Sequence, residues 1–289
     1  MEMYSFPAVQ STHEPTSTSP LISSNAPQQV PRPSPPLVQL AETIECFRSS
    51  DGEAYATVPV HDHWETWRLR SRGFRQWLAF DYFRHEGTMP SSEVLQQAMR
   101  VLEGKALFEG PEQPVFVRLA ERDDAIYLDL ANAAWEAVEV TARGWRVLPR
   151  PPVKFLRRPG MLSLPYPTAG GSIADLRPFV NVSSDVDWTI LVAWLVATLR
   201  PRGPYPVLHL HGEQGATKST LARFLRALVD PNKAPLRAEP RSVRDLMIAA
   251  ANAWVLGFDN LSHLQPWLSD AFCRLATGGG FGTRALYTD

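Results

Sequence analysis

In the decapeptide HGEQGATKST, residues 211–220, four residues separate Gly212 from a Thr217-Lys218-Ser219 run. The spacing fits G-x-x-x-x-G-K-[ST], in which inward-turned backbone N–H groups cradle phosphates, the lysine reaches the β- and γ-phosphates and the hydroxyl holds Mg2+. The candidate nucleotide-binding residues are therefore Gly212, Glu213, Gln214, Gly215, Ala216, Thr217, Lys218, Ser219 and Thr220. Only Thr217 departs from the pattern, because a β-branched residue resists backbone conformations that glycine takes freely. Taken alone, the loop is also readable as an ordinary glycine-containing turn. A second group decides between the two. AWVLGFDN, residues 253–260, is an apolar strand pattern ending in Asp259, an acid suited to holding Mg2+ through its water shell. Ser219 and Asp259 are the expected Mg2+ residues, Lys218, Asp259 and Asn260 the expected catalytic ones, and ATP with Mg2+ the expected cofactors. Asn260 stands where many such ATPases carry a glutamate that polarises water; an amide orients water but is a poor base.

A phosphate loop needs a strand feeding it and a helix whose positive N-terminal end faces the anion. PYPVLHLH (204–211) is the expected strand and TKSTLARFLRALVD the helix. APLRAEP follows as a further strand candidate, then the helix RSVRDLMIAAANA and the strand WVLGFDN. Strand and helix alternate, which predicts an α/β fold with a parallel sheet, covering residues 168–289. The apolar run WTILVAWLVATL (188–199) is too short to span a bilayer and reads as a helix buried on nearly all sides.

Upstream, residues 1–36 are rich in Ser, Thr, Pro and Gln and predict a disordered tail. Residues 37–167 predict a smaller α+β accessory domain. Within it, WLAFDYF (77–83) has a helix-like face. SSEVLQQAMRVLEGKALF (91–108) is a clearer helix, with Ser91 or Ser92 as cap and Glu93 suited to the dipole. AIYLDL, AVEV and WRVL read as strands, the last two as a hairpin closed near Gly144. The prolines at 149, 151, 152, 165 and 167, with Gly170-Gly171, suggest a linker.

Other residues carry weaker signals. His61-Asp62-His63 lacks further ligands at metal spacing and is expected to be a loop rather than a zinc site. Arg68, Arg70, Arg72 and Arg75, interleaved with Trp67, Phe74 and Trp77, form either a nucleic-acid patch or a solvated face over buried aromatics. His209 and His211 flank the strand into the loop and are expected to pack or to support the site from behind rather than to act as catalysts. Cys46 and Cys273 imply neither a disulfide framework nor a metal. A net charge of −1 across 289 residues excludes a bulk electrostatic attraction to nucleic acid. The N-terminus shows no secretory signal pattern, and a cytoplasmic location is expected.

GEQGATKSTLARFLRALVDP, RSVRDLMIAAANAWVLGFDN and QPWLSDAFCRLATGGGFGTRALYTD resemble the ATP-binding proteins of phages, plasmids and integrated elements, related to the primase-associated superfamily-3 helicases. The resemblance implies a AAA+-like P-loop NTPase core that assembles into a homo-oligomer, commonly a hexameric ring. It would translocate on single-stranded or forked DNA during replication of a mobile element, without a membrane partner. A β-hairpin of such helicases contacts DNA; GGGFGTRALYTD occupies that position and makes Arg284 the candidate contact, a solvated arginine on a glycine loop being the alternative. The chain ends at Asp289, ahead of the strand expected to carry a polar sensor and of any arginine finger, so a partial core is expected. Two other functions stay open: a nucleotide-gated adaptor without turnover, and a P-loop kinase acting on a small acceptor.

Overall fold

The computed structural model describes residues 44–261 and 263–278. Strands β1 (Glu45–Arg48), β2 (Ala54–Val60) and β3 (His63–Arg68) form an antiparallel sheet in that order. β2 is buried from Ala54 through Val58 rather than on alternate residues, so both of its faces are covered. His61 and Asp62 make the turn between β2 and β3, with His61 at φ 53°, the positive φ that two-residue hairpin loops demand.

Two helices cover one face of this sheet. Helix α1 (Arg72–Glu86) is capped by Ser71, whose hydroxyl accepts from the Phe74 N–H at 3.1 Å. Helix α2 (Ser92–Gly104) is capped by Ser91, carries Glu93 in its first turn and runs into a π-helical turn at Lys105–Glu109. Phe74 and Leu78 from α1, with Leu95, Ala98 and Leu102 from α2, recur at helical spacing and pack against Ala54, Ala56 and Val58. Trp67, Phe74 and Trp77 belong to this core. Arg68 donates to the Tyr55 hydroxyl (3.1 Å), Arg70 pairs with Glu103 (2.6 Å), and Arg72 and Arg75 are exposed. In the arginine-aromatic alternation Arg70, Arg72 and Arg75 are thus exposed and Arg68 half-buried, beside one buried ring, Phe74, and two half-buried ones, Trp67 and Trp77.

The remaining strands are β4 (Val115–Phe116), β5 (Leu119–Arg122), β6 (Ala125–Asp129), β7 (Ala137–Thr141), β8 (Gly144–Leu148) and β9 (Lys154–Phe155). β5 to β8 form an antiparallel meander, with Val138 opposite Val147 and Val140 opposite Trp145 in the expected hairpin. β4 and β9 pair in parallel. The proline-rich stretch expected as a linker is instead packed. It contains β9 and buries Val153, Phe155, Leu156 and Leu164. Beyond β9 the Leu162 N–H donates to Pro231 O and the Lys233 N–H to Gly160 O, each at 2.9 Å. These bonds run across the expected boundary at 167/168, and every described residue lies in one compact unit, Pro35–Asp289.

From Ile173 the chain is helical: a 3-10 segment at Ile173–Phe179, then α3 (Asp185–Thr198), α4 (Lys218–Val229), α5 (Val243–Ala250) and α6 (Pro266–Thr277). Helix α3 differs from the all-round burial expected of it. Leu191 and Leu195 pack with Leu176, Leu225 and Val229, whereas Val186, Ile190 and Val196 are more than half exposed. No helix among the described residues is long and apolar enough to cross a membrane.

The expected parallel sheet is the larger difference. PYPVLHLH contains no strand: the Tyr205 N–H donates to Ala276 O and Pro206 O accepts from the Trp194 indole, so these groups bond outside any ladder. APLRAEP and WVLGFDN meet at one parallel bridge, Arg237 opposite Phe258. Among the described residues the order of a P-loop sheet is thus not formed. The disordered tail expected at 1–36 and the hairpin GGGFGTRALYTD with Arg284 lie outside the described residues, except for Gly278.

Candidate functional site

Three segments meet at the phosphate-loop motif: the loop itself, the start of α4, and the end of the 253–260 segment. Gly212 and Gly215 sit at φ 148° and 86°, conformations that L side chains rarely adopt. Thr217 sits at φ 57°, ψ 18°, in the left-handed region, and is the N-cap residue of α4. The residue that breaks the sequence pattern thus occupies a conformation that favours glycine, and a β-branched side chain is strained there.

The start of α4 differs from the starts of α1, α2, α3 and α5. Those four are capped by Ser71, Ser91, Ser184 and Ser242, each accepting a hydrogen bond from a first-turn N–H. Helix α4 has no side-chain cap. Its first-turn amides and the positive end of its dipole face the loop without a carboxylate or hydroxyl engaging them from the N-cap position. The loop is solvent-exposed through Gly215, and Ala216 N–H closes it by donating to Glu213 O at 3.2 Å. Gln214 and Thr220 are likewise exposed.

Lys218 folds back across this loop. Its ammonium donates to Gly212 O at 2.8 Å and to Glu213 O at 2.7 Å. Ser219, one residue on, donates its hydroxyl proton to Asp259 Oδ1 at 2.8 Å across 40 residues of sequence. The Asn260 N–H donates to the same oxygen at 3.0 Å, with Asn260 itself exposed and at φ 62°. Lys218, Ser219, Asp259 and Asn260 are thus brought together, as their motifs require. A serine hydroxyl beside a carboxylate is a hard-oxygen donor pair, the type that Mg2+ prefers.

Asp259 is held by the bridge to Arg237: the Arg237 N–H donates to Gly257 O and the Asp259 N–H to Arg237 O, both at 2.9 Å. Gly257 permits that approach. A Cβ there would lie 2.7 Å from Leu236 Cδ2 and 3.0 Å from Pro235 O. The segment carrying Leu236 is positioned in turn by Arg226, which projects from α4 and is 2% exposed. Its Nη1 donates to Ala234 O (3.0 Å) and Pro235 O (2.6 Å). Burial lowers the Arg226 pKa from its ordinary value, Asp230 opposes that shift, and the nearby Arg237 and Arg118 add to it.

Asp230, fully buried at the end of α4, fixes the other side. Oδ1 accepts from Arg118 Nε at 3.0 Å, and Oδ2 accepts from the Trp254 and Val255 N–H groups at 2.9 and 3.1 Å. Arg118 is also fully buried and donates further to Asp129 O and Leu162 O, both at 2.9 Å. None of Arg118, Arg226 or Asp230 was singled out by the motifs. The Arg226 and Asp230 pair had a signal, since a helix whose apolar face continues through an arginine four residues before an aspartate advertises a buried ion pair. Arg118 had none, because its partner lies 112 residues away.

His209 and His211 are exposed, with ring centroids 5.7 Å apart, and the described contacts tie neither to the loop. Of the His61-Asp62-His63 triplet the first two make the β2–β3 turn and His63 begins β3, 2.9 Å from Glu65. No curated protein and no solved structure matches the chain. Residues 173–289, which contain the loop, α4 and Asp259, match the model of a family described as the actinomycete integrative conjugative element replication protein, and this part of the chain is similar to it.

Proposed function

We propose that the chain binds ATP with Mg2+ at Gly212–Thr220 and acts as a helicase-like motor in DNA replication of a mobile element. The single observation that carries the reading is the Ser219–Asp259 hydrogen bond, which joins the loop to an acid 40 residues downstream. The uncapped start of α4 and the Lys218 ammonium add donors for phosphate at the same place. The similarity of residues 173–289 to a replication protein supplies the biological setting. In this reading Ser219 and Asp259 would hold Mg2+, which would supply positive charge beside the transferred phosphoryl group. Lys218 leaves the two carbonyls for the phosphates, and the backbone amides orient them. DNA as the substrate track and assembly of several copies belong to the same proposal.

A second reading, a nucleotide-gated adaptor, is favoured by Asn260. The side chain next to Asp259 is an amide, and an amide takes a proton poorly. One experiment separates the readings. Binding of a fluorescent ATP analogue with Mg2+, and ATP hydrolysis with and without single-stranded DNA, are measured for the wild type and Lys218→Ala. The motor reading expects binding and DNA-stimulated turnover, both lost in Lys218→Ala. Binding without turnover selects the adaptor. Absence of Mg2+-dependent nucleotide binding in the wild type overturns both.

A further inference from the structure

A second polar cavity lies in the antiparallel half, built from residues that the phosphate loop does not use. It holds about 40 Å3, opens to solvent, and is lined by Thr57, Thr66, Asp129, Arg150 and Lys154 together with aromatic, proline and valine side chains. One water needs about 10–15 Å3 by this measure, so the space takes a group of a few heavy atoms and excludes a nucleobase. Thr57 and Thr66 are cross-strand partners on β2 and β3, 5% and 6% exposed. Thr57 Oγ1 is buried and has no hydrogen-bond partner among the described residues. A buried hydroxyl left unpaired is destabilising, and a ligand accepting from it would offset that cost.

The charges around the cavity show which ligand that is. Asp129 is neutralised in place: Arg157 donates to both of its carboxylate oxygens, at 2.7 and 3.1 Å, while lying over the Trp135 ring at 4.0 Å. Lys154 is 2.5 Å from Glu45, and Glu45 also accepts from Gln113 at 2.8 Å. Glu65 faces His63 at 2.9 Å. Arg150 forms no close ion pair among the described residues, although, against the opposing effect of burial, its charge helps Lys154 and Gln113 hold the Glu45 carboxyl below its ordinary value. It is solvent-exposed and stacks 4.3 Å from the centroid of the Trp64 ring. Stacking orients a guanidinium while leaving its edge N–H groups free, the arrangement that receives a tetrahedral oxyanion through two parallel hydrogen bonds.

We propose that this cavity is a phosphate-binding site, with the exposed Arg150 clamping the anion and the buried Thr57 donating to it, and, resting on the proposed role in DNA replication, that a phosphodiester of single-stranded DNA supplies the phosphate. A nucleobase does not fit the cavity, so the contact reads backbone and is indifferent to sequence. Such a site would hold the strand on the antiparallel half of the molecule, apart from the nucleotide loop.

The test uses the full chain without nucleotide, so that failure of the ATP reading leaves it untouched. Binding of fluorescently labelled dT20 is followed by anisotropy, and binding of inorganic phosphate by calorimetry, for the wild type, Arg150→Ala, Arg150→Lys and Thr57→Val. Thermal melting of each variant verifies that it is folded. Arg150→Ala is expected to weaken dT20 about ten-fold and to lower the slope of log K against log salt by about one. Arg150→Lys should recover only part of the affinity, because a lysine offers no planar fork. Thr57→Val, which keeps the shape and removes the hydroxyl, should weaken dT20 less than Arg150→Ala does. If phosphate binding falls in Arg150→Ala and Thr57→Val while dT20 binding does not, the phosphate site stands and the DNA strand is overturned as its source. If folded variants bind both probes as the wild type does, the proposal is overturned altogether.

Discussion

The antiparallel half and the loop-bearing half solve the same problem by different means. In the first, β1 to β3 and β5 to β8 pair with sequence neighbours, so each strand's backbone groups are satisfied by chain a few residues away. In the second, the helices bond within themselves; between its described non-helical segments there is one parallel bridge, supplemented by buried side chains: Arg226 holds the 234–235 carbonyls and Asp230 holds the Trp254 and Val255 amides. A ladder spreads its support over many bonds, each worth about 1 kcal/mol net. A buried guanidinium or carboxylate concentrates it in one group whose removal is felt at once. The loop-bearing half should therefore be the more sensitive to single substitutions.

The largest effect is expected at a buried pair that both halves share, Asp230 at the end of α4 and Arg118 between β4 and β5. Replacing Arg118 with methionine leaves the buried Asp230 only the more distant Arg226 guanidinium, 3.9 Å away, and breaking such a pair costs about 3–5 kcal/mol. Urea unfolding of Arg118→Met measures this; a loss below about 1 kcal/mol would mean that the two halves are not joined through this pair. Gly257→Ala comes next. Its Cβ would press on Leu236 Cδ2 and Pro235 O, and overpacking of that kind costs about 1–3 kcal/mol. The same variant should move Asp259 away from Ser219, so weakened nucleotide binding with Mg2+ is the second readout.

Thr217→Gly is expected to act in the opposite direction. A left-handed conformation costs an L residue roughly 1–2 kcal/mol, and glycine's extra freedom in the unfolded chain returns about 0.4–1 kcal/mol of that. A net gain of up to about 1.6 kcal/mol in urea unfolding is the outcome, and a loss would show that the hydroxyl or methyl of Thr217 makes a contact that matters more. The smallest effect is chemical rather than energetic. Cys273 on α6 is exposed, whereas burial pushes the Cys46 thiol of β1 up to about 11, with Glu45 adding to the shift and Lys105 opposing it. Because the thiolate is the nucleophile, iodoacetamide at pH 8 should label Cys273 and spare Cys46, and both should react in urea. Labelling of native Cys46 would show that the antiparallel half opens more readily than its ladders suggest.

What the sequence made legible follows the same division. Helices announced by local features were readable: Ser91 and Glu93 before an apolar period locate α2, and TKSTLARFLRALVD locates α4 to within a residue or two. The hairpin of β7 and β8 was readable because its turn and both strands are contiguous. β1 to β3 were not, since β2 is buried on both faces and lacks the alternation that marks a strand. The expected strand at 204–211 failed for a related reason: an apolar run becomes a strand only if another chain segment offers a ladder, and that partner cannot be read locally. At the candidate site, spacing alone foretold that Ser219 and Asp259 would meet. It could not foretell that Lys218 would turn onto Gly212 O and Glu213 O, or that the surroundings would hang on Asp230.

The Arg118–Asp230 pair also sets an order of events during synthesis. Arg118 leaves the ribosome 112 residues ahead of the carboxylate it needs, an interval of roughly 6 to 22 s at ordinary elongation rates. Throughout that interval a guanidinium destined for full burial has only its carbonyl partners, and closing the sheet over it would strand a charge. The nascent antiparallel half is therefore expected to wait, open at Arg118, until α4 has emerged and brought Asp230 to it.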